Sequence, residues 1–279
     1  MVNYNGQLTK NTVVLSVTNR GFAFGDAVFE TIKTVNSKPL FWEDHYFRLM
    51  ASMRILRMEI PMEFTMEFLE SEILKTIKAN SLENSAVRVK LTVFREGDGL
   101  YTPKTNNIAY VITVKETETS LYQLNINPYR VDIFKDYPLA PGLLSTLKTN
   151  NRVVNVVGGI YADENDLDNC ILLNTNKQVV EALNGNVFLV LGKTIKTPPI
   201  LDGCIKGVLR KQLIDIIKAS TEFTLEESSV SPFELQRADE LFITNVITGI
   251  QPVTTYRKKA FATTVAESLL RELNKKAEI

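Results

Sequence analysis

The stretch AVRVKLTVF, residues 86–94, decides how the first part of the chain folds. Its apolar side chains alternate with Arg88, Lys90 and Thr92. This period of two predicts a β-strand with one buried face and one polar face. Residues 109–114, AYVITV, are rich in residues that favour strands, and we expect them to pair with it. A sheet is therefore predicted in the first part of the chain.

Strand and helix signals continue on both sides of this stretch. The segments TVVLSV at residues 12–17 and FETIKTV at residues 29–35 are predicted strands, because β-branched residues dominate them. The segment WEDHYFRLMASMRILRM, residues 42–58, has apolar residues near helical spacing, and a second helix is predicted from about Glu63 to Asn80. The polar stretch KETETS, residues 115–120, is the best candidate for a linker.

The second part of the chain has no regular alternation of strand and helix. Its predicted elements are a helix beginning in NRVVNVV, a strand at CILLN (170–174), a hairpin turning at Gly192-Lys193, a helix led by Gly207, a strand in LFITN (241–245) and a helix from about Thr263 to Lys276. We therefore expect a mixed α/β to α+β fold in two domains, residues 1–119 and residues 120–279.

Composition excludes several classes of protein. The 279 residues are 44% hydrophobic and 23% charged, which is enough for a core and is not typical of a disordered chain. Lys+Arg and Asp+Glu both number 32, whereas nucleic-acid-binding proteins usually carry a basic excess. No apolar run approaches the roughly 20 residues of a membrane helix. The start, MVNYNGQLTK, lacks a signal-peptide core, so we expect a cytoplasmic protein.

The single histidine, His45, limits the available chemistry. A Ser-His-Asp triad would have to use it, and a metal site built from several histidines is excluded. Cys170 and Cys204 form neither a disulfide framework nor a CxxC metal motif. We expect no metal, and we assign chemistry near neutral pH to carboxylates, lysines or an organic cofactor.

Two positions suit an anion. Gly207 opens the helix GVLRKQLIDIIKAS, and the backbone amides and dipole at a helix start attract phosphate. Arg48 has a planar fork of donors that also fits phosphate. An ordinary helix start and a solvated arginine are the alternatives, and the residues alone leave them open. His45 lies one turn before Arg48, and we expect a structural role for it rather than catalysis.

Lys148 and Glu181 are the candidates for covalent and acid–base chemistry. Lys148 follows a largely apolar loop, residues 134–145, and in a desolvated cleft the pKa of a lysine falls, as a Schiff-base lysine requires. Glu181 is flanked by apolar strand residues, where a carboxylate is usually paired. An ordinary lysine and a surface turn carboxylate remain open as alternatives.

Six pieces of the chain occur in the order found in one enzyme family. They are NRGFAFGDAVFETIK (19–33), DHYFRL (44–49), LKTNNR (147–152), VVEALNGNVF (179–188), GVLR (207–210) and LFITNVITGIQPV (241–253). In these pieces the sequence resembles the class IV aminotransferases, pyridoxal-phosphate enzymes of fold type IV. The family includes branched-chain aminotransferases, D-amino-acid transaminases and 4-amino-4-deoxychorismate lyases. The resemblance implies a fold like that of D-amino-acid aminotransferase, with a small N-terminal α/β domain and a larger, barrel-like C-terminal domain.

The resemblance also implies the cofactor, pyridoxal 5'-phosphate, and the residues that hold it. Lys148 matches the Schiff-base lysine, and Glu181 matches the carboxylate that keeps the pyridine nitrogen protonated. Arg48 matches the arginine on the cofactor phosphate. The helix start whose amides hold the same phosphate is matched by Gly207, Val208 and Leu209. We expect the cofactor in a cleft between the two domains.

Substrate-binding residues are implied in the same way. Arg95 and Tyr101 belong to a segment, REGDGLYTP, that resembles the arginine-glycine loop shaping the family's substrate pocket. A cation there would bind a substrate carboxylate, and a solvent-facing loop is the alternative. Ile247 and Thr248 follow the strand LFITN and are assigned to the substrate as well.

Two positions depart from many transaminases of the family. Arg152 stands where those enzymes carry a tyrosine, and Val246, preceded by Asn245, stands where they carry a threonine that contacts the phosphate. Both departures resemble the 4-amino-4-deoxychorismate lyases, and Arg152 would bind substrate carboxylates. We therefore expect a lyase of folate synthesis that releases 4-aminobenzoate and pyruvate. The resemblance to the family also implies a homodimer. A branched-chain or D-amino-acid aminotransferase is the alternative.

Overall fold

The computed structural model describes residues 1–10, 15–125 and 127–278, which divide into two compact units. The first unit contains Met1–Ser120 and Lys148–Asn151, and the second contains Leu121–Leu147 and Arg152–Ile279. The boundary drawn from the polar linker lies between residues 119 and 120. This boundary does not account for Lys148–Asn151, which belong to the first unit. They join it by backbone pairing with β3, and no change in sequence composition indicates that pairing.

The described part of the chain contains seven α-helices. They are α1 (Arg20–Ala23), α2 (Trp42–Ile55), α3 (Met66–Lys78), α4 (Val153–Glu164), α5 (Val208–Ala219), α6 (Pro232–Arg237) and α7 (Thr264–Ala277). The sixteen strands in the same residues are β1 (Val2–Tyr4), β2 (Gln7–Thr9), β3 (Ala27–Val35), β4 (Lys38–Pro39), β5 (Ala86–Arg95), β6 (Ile108–Glu116), β7 (Arg130–Leu139), β8 (Asn169–Asn174), β9 (Val179–Ala182), β10 (Asn186–Leu191), β11 (Thr194–Thr197), β12 (Thr224–Glu227), β13 (Glu240–Asn245), β14 (Gly249–Val253), β15 (Thr255–Tyr256) and β16 (Lys259–Ala260).

The first unit is built on a six-stranded sheet in the order β2-β1-β6-β5-β3-β4. The central strand β5 pairs antiparallel with β3 and with β6 along its length, which confirms the pairing expected from the alternating pattern. One face of the sheet packs against α2 and α3 in a core that includes Leu49, Met53 and Ile73. Thr65 caps α3 by accepting the Phe68 N–H.

The second unit contains two five-stranded sheets, β12-β11-β10-β13-β14 and β16-β15-β7-β8-β9. Their strands share one apolar core, to which Val131 and Ile171 contribute from one sheet and Leu189 and Leu241 from the other. Two sheets that close on a common core give the barrel-like arrangement that the sequence predicted. The fold class, a mixed α/β to α+β protein, is therefore confirmed.

Most predicted elements are present with boundaries shifted by a few residues. The helix expected from about Glu63 to Asn80 is α3, and the hairpin expected at Gly192-Lys193 joins β10 to β11. The strand expected at residues 12–17 is different: residues 12–14 lie outside the described residues, and residues 15–17 are not a strand. Ser16 instead closes a turn, because its carbonyl accepts the Asn19 N–H and its hydroxyl accepts the Thr18 N–H.

None of the helices in the described residues combines the length and the apolar character that crossing a bilayer requires. The longest, α2 and α7, have 14 residues each, and each buries only one of its faces.

We predict that Gly249 is essential to the packing of the second unit. Its φ is +78°, and a Cβ there would lie 2.8 Å from the Tyr122 ring. Gly249→Ala should lower the free energy of unfolding by about 2–4 kcal/mol, because it adds overpacking to backbone strain. Gly192 is the matched control: its φ is +59°, but a Cβ would meet no atom within 4 Å. Gly192→Ala should cost only about 1 kcal/mol in urea titrations. Equal losses would contradict the packing argument.

Candidate active site

Lys148 lies on a short extended segment that pairs with β3. The Phe29 N–H donates to the Lys148 carbonyl at 2.9 Å, and the Asn150 N–H donates to the Ala27 carbonyl at 3.0 Å. Thr149 bridges Val28 between these bonds, so Lys148 lies opposite Phe29 on the same face of the sheet. The Lys148 Nζ lies 4.5 Å from the centroid of the Phe29 ring. The backbone of this lysine is thus fixed by sheet pairing rather than carried by a loop.

Glu30, on the opposite face of β3, binds two residues of α2. Its Oε2 lies 2.6 Å from His45 Nδ1, and Arg48 donates from Nε at 2.8 Å and from Nη2 at 2.5 Å to its two oxygens. His45 and Arg48 are one helical turn apart, so both point to the same side of α2. The bidentate pair holds the Arg48 guanidinium in one orientation.

The charges of this cluster follow from burial and from the Arg48 cation. Burial alone would raise the Glu30 pKa, but the charge of Arg48 and the hydrogen bonds from His45 and Arg48 lower it to about 2. Burial lowers the His45 pKa, Glu30 opposes that change, and the charges of Arg48 and Lys148 add to it. Near neutral pH Glu30 is therefore ionised and His45 is neutral, with its proton on Nδ1. The His45 Nε2 is buried and has no hydrogen-bond partner among the described residues.

Glu30 was not among the residues that the sequence singled out. A signal was present, because Glu30 stands between Val28 and Ile32, which alternate into the apolar core. A carboxylate at such a position needs a buried cation or donor. The alternation of β3 therefore indicates that Glu30 has a hydrogen-bond or ion-pair partner on the helix that packs against this strand.

Arg95 is held inside the first unit by other groups. Its guanidinium donates to both oxygens of Asp26, to the Asn106 side chain, and to the carbonyls of Leu56 and Arg57. These bonds engage all five of its N–H donors. In this arrangement Arg95 orders the loops around it, and a contact between Arg95 and a substrate carboxylate stays a prediction.

Tyr101 belongs to a loop that Arg20 orders. Arg20 donates to Asp26 at 2.9 Å and to the Leu100 carbonyl at 2.7 Å, which fixes the backbone beside Tyr101. The Tyr101 side chain itself is 91% exposed, and its ring lies 5.9 Å from that of Phe24. The structure thus leaves the Tyr101 ring at the surface, and a substrate contact through it stays a prediction.

In the second unit, Glu181 is a buried residue of strand β9 rather than of a turn. Its Oε2 accepts the Ile205 N–H at 2.9 Å. Ile205 lies two residues before Gly207, the N-cap of α5. The carboxylate therefore lies next to the segment that leads into this helix, and it holds that segment by a charge-assisted hydrogen bond.

The backbone at the start of α5 is so closely packed that only glycine fits at position 207; we call this start the Gly207 cradle. Asn186 donates to the Ile205 carbonyl at 2.9 Å, and a Cβ on Gly207 would lie 2.0 Å from the Asn186 Oδ1. Gly207, the N-cap, has no side chain to cap the amides of the first turn, which begins with Val208 and Leu209. An uncapped helix start with a bare glycine suits a phosphate group. Asn186 supports this cradle and was not singled out from the sequence, although it lies in the NVF piece.

Arg152 is only partly accessible, and it lies in the electrostatic field of Glu181. Its Nη2 donates to the Leu147 carbonyl at 2.6 Å. Burial lowers the Arg152 pKa, and the negative charge of Glu181 raises it. The cation is therefore directed into the second unit rather than into bulk water.

The turn after β13 is closed by Asn245. Its Oδ1 accepts the N–H groups of Ile247 at 3.1 Å and Thr248 at 3.0 Å. Both amides are thus used within the turn, and a substrate contact through them would require that bond to open. The Val246 carbonyl accepts the Tyr122 hydroxyl at 2.8 Å. Contacts of Ile247 and Thr248 with a substrate stay predictions.

The first unit thus holds a lysine paired with β3, and the second holds a buried carboxylate beside a helix start; both kinds of group suit a cofactor-dependent enzyme that works through an amine. The chain belongs to the class IV aminotransferases, because the model of the family described as amino-transferase class IV matches residues 27–256. It is a pyridoxal-phosphate-dependent enzyme of fold type IV, as the sequence predicted.

Similar proteins differ in the activity that their names record. A probable branched-chain-amino-acid aminotransferase of Thermotoga maritima is 30% identical over 84% of this chain and 79% of its own length. An aminodeoxychorismate lyase of Vibrio harveyi is 23% identical over 84% of each chain. The crystal structure of 4-amino-4-deoxychorismate lyase from Pseudomonas aeruginosa is 26% identical, covers 100% of both chains and has a TM-score of 0.84. The likeness extends over the full chain and does not separate lyase from transaminase.

The residues present fit pyridoxal 5'-phosphate. The clearest observation is the Gly207 cradle, which a Cβ would fill and which opens onto the uncapped first turn of α5. Glu181 next to that turn is a suitable partner for a protonated ring nitrogen. Lys148 carries an amine of the kind that this cofactor requires.

We predict that Glu30 stabilises the first unit only when it is ionised. Its pKa is lowered from 4.5 to about 2, so its contribution is complete above pH 4.5 and is lost as the pH falls towards 2. Glu30→Gln should lower the free energy of unfolding at neutral pH by about 3–5 kcal/mol, because it leaves Arg48 without its buried partner. The difference from wild type should shrink between pH 4.5 and 2. Glu63→Gln, at an exposed position, is the control. A difference that does not depend on pH would contradict the account.

Proposed function

We propose that this enzyme is a 4-amino-4-deoxychorismate lyase that releases 4-aminobenzoate and pyruvate. The observation that supports the proposal best is Arg152, a partly buried cation beside the charge of Glu181, at the position where many transaminases of the family have a tyrosine. A tyrosine hydroxyl both donates and accepts hydrogen bonds, whereas a guanidinium only donates and keeps its positive charge. Arg152 therefore favours a substrate with more than one carboxylate over an aliphatic amino acid.

The proposal assigns the cofactor contacts by residue. Arg48, oriented by Glu30, binds the phosphate with Gly207 and the first amides of α5. Glu181 holds a proton on the pyridine nitrogen. Lys148 attaches the cofactor through its Nζ. When bound, pyridoxal phosphate supplies a conjugated ring that accepts electrons from the substrate carbon.

The remaining chemistry is proton transfer by Lys148. In the proposed reaction, the Lys148 Nζ is the base that removes the proton from the amine-bearing carbon of the substrate. The Phe29 ring beneath the Nζ keeps one side of it away from water. Loss of pyruvate then leaves an aromatic ring, which makes the reaction favourable. Arg152 binds a substrate carboxylate and orients the substrate for this step.

The proposal includes a homodimer. In the second unit, α4 exposes Val153, Val156 and Ile160, which lie on one side of the helix at spacings of three and four residues. In the first unit, Phe22 and Leu100 are also exposed. Apolar side chains that line one face of a helix are typical of a protein interface, and a second copy of this chain is the partner that we propose.

A transaminase is the second candidate, and one comparison favours it. The relative with 30% identity, from Thermotoga maritima, is named as a probable branched-chain-amino-acid aminotransferase. That activity would use the same Lys148 and Glu181 but would return the proton to the cofactor instead of eliminating pyruvate. Because the cofactor residues are common to both reactions, only the products distinguish the two candidates.

We predict that the purified enzyme converts aminodeoxychorismate with a larger kcat/KM than leucine, valine, isoleucine or D-alanine with 2-oxoglutarate. Pyruvate and 4-aminobenzoate report the lyase reaction, and keto acids report transamination. Arg152→Gln should lower kcat/KM for aminodeoxychorismate by about 10-fold to 100-fold, since a charge-assisted hydrogen bond contributes about 1.5–3 kcal/mol. Arg237→Gln, at an exposed position, is the control. If any of the amino acids is the better substrate, the lyase proposal is wrong and the transaminase replaces it.

A further inference from the structure

Strand β7 separates from its neighbour β8 over a short stretch of the second unit. The two strands pair in parallel as far as Phe134 on β7, and pairing resumes at Leu139. Between these two residues β7 carries residues 135–138, whereas β8 carries only Leu173. Extra residues on one strand of a pair form a bulge that bends away from the sheet. The register of the sheet therefore opens a space beside this part of β7.

A cavity of about 660 Å³ lies at this bulge, and we call it the bulge cavity. Sites for small organic ligands have volumes of roughly 300–1,000 Å³. All of the residues that line the bulge cavity belong to the second unit, and none of them is assigned to the candidate active site. Gln178 lines the cavity, and Glu181 lies three residues further along the chain on β9, which is about 10 Å of strand. The bulge cavity is therefore separate from the site around Glu181.

Hydrogen bonds fix the walls of the bulge cavity. The side chain of the buried Asn174 accepts the N–H groups of Asn176 and Gln178, each at 3.0 Å, which orders the turn between β8 and β9. The Val179 N–H donates to the Val230 carbonyl at 2.8 Å, which fixes the approach to α6 beside this turn. A cavity whose walls are already ordered loses less conformational entropy when a ligand binds.

Apolar side chains line much of the bulge cavity. Ile133 and Phe134 are buried residues of β7, and Leu173 and Pro138 also line the cavity. The Phe233 side chain is 79% exposed although it lines the cavity. An exposed aromatic ring beside buried apolar residues offers a surface on which an apolar group can pack. These residues therefore suit a ligand with an apolar body.

The charged residues that line the bulge cavity all have the same sign. They are Lys135, Lys177 and Arg257, and no aspartate or glutamate is among the described residues that line it. The ammonium groups of Lys135 and Lys177 have no ion-pair partner in the described part of the chain. Arg257 bonds Asp132 through Nε at 3.2 Å, so its Nη groups remain for another acceptor. Cations of this kind beside apolar walls attract an anion.

Two of these cations occupy turn positions that disfavour long side chains. The φ of Lys177 is +62°, and that of Arg257 is +55°. Glycine and asparagine adopt this left-handed region with less strain than lysine or arginine. Strained residues of this kind are often found where a protein binds a ligand. Each turn thus places a cation at the bulge cavity in a conformation that glycine would adopt more easily.

We propose that the bulge cavity binds a small amphipathic carboxylate, which is a molecule with one carboxylate on an apolar body. The apolar body packs against Phe134 and Phe233, and the carboxylate accepts hydrogen bonds from Lys135 and Lys177. The inference goes beyond the proposed function, because it uses no residue of the candidate active site. It applies equally to a lyase and to a transaminase.

The test is isothermal titration calorimetry of the holoenzyme with 2-naphthoate as the probe. Naphthoate should bind at least about 10-fold more tightly than 2-naphthamide, its neutral counterpart, as expected for one charge-assisted contact. It should also bind at least about 10-fold more tightly than inorganic phosphate, which has the charge without the apolar body. If naphthamide or phosphate binds as tightly as naphthoate, the inference is wrong.

Variants of the lining cations show where naphthoate binds. Lys135→Gln combined with Lys177→Gln should lower the affinity for naphthoate at least about 10-fold and leave that for naphthamide unchanged. Lys135→Arg combined with Lys177→Arg should retain the affinity for naphthoate, because both charges stay in place, which separates a charge effect from damage to the fold. Lys258→Gln is the matched control: Lys258 is exposed and follows Arg257 in the same turn but does not line the cavity, so naphthoate binding should not change.

A variant of the candidate active site separates the two places where a carboxylate could bind. Arg152→Gln should leave the affinity for naphthoate unchanged, because Arg152 does not line the bulge cavity. A loss of affinity in Arg152→Gln, with none in the double glutamine variant, would assign the probe to the candidate active site and overturn the inference. Calorimetry needs no turnover, so the result does not depend on whether the enzyme is a lyase.

Discussion

The pairing of residues 148–150 with β3 is the interaction on which the first unit's chemistry depends. Two backbone hydrogen bonds, from Phe29 to Lys148 and from Asn150 to Ala27, bring a distant part of the sequence onto a strand whose own residues are already ordered by β5. Because side chains alternate along a strand, β3 serves two purposes. One face holds Glu30 and through it Arg48, and the other presents Phe29 to Lys148. A change in the register of β3 by one residue would exchange these faces and remove both arrangements.

The second unit is organised around Glu181 in a comparable way. The carboxylate takes the Ile205 amide, Asn186 donates to the Ile205 carbonyl, and together they shape the approach to the first turn of α5. Gly207 is required there because the Asn186 side chain occupies the space of a Cβ. In the proposed site, the partner of the ring nitrogen and the partner of the phosphate are thus coupled through the backbone of Ile205. If the proposed site is right, substitutions at Asn186 or Gly207 change cofactor binding without changing a residue that takes part in the reaction.

The sequence predicted much of this arrangement, and the parts it missed have physical reasons. Alternation predicted β5, the content of strand-favouring residues predicted β6, and the glycine-led pattern predicted α5, because local spacing and composition carry that information. Lys148, Glu181 and Gly207 were identified through family resemblance. Local patterns do not show which distant residues pair with each other. The position of Lys148–Asn151 in the first unit depends on such pairing. Arg95 shows the same limit, since Asp26 and Asn106, which engage its donors, are distant in sequence or lie across a loop.

The central claim is that Lys148, fixed opposite Phe29, is the lysine that carries pyridoxal phosphate. Reduction of the purified holoenzyme with borohydride, followed by proteolysis and mass spectrometry, tests this directly, because reduction fixes the cofactor on the lysine that holds it. The account predicts the phosphopyridoxyl group on the peptide that contains Lys148, with Lys33 and Lys90 unmodified. Modification of Lys33 or Lys90, with Lys148 unmodified, would contradict it.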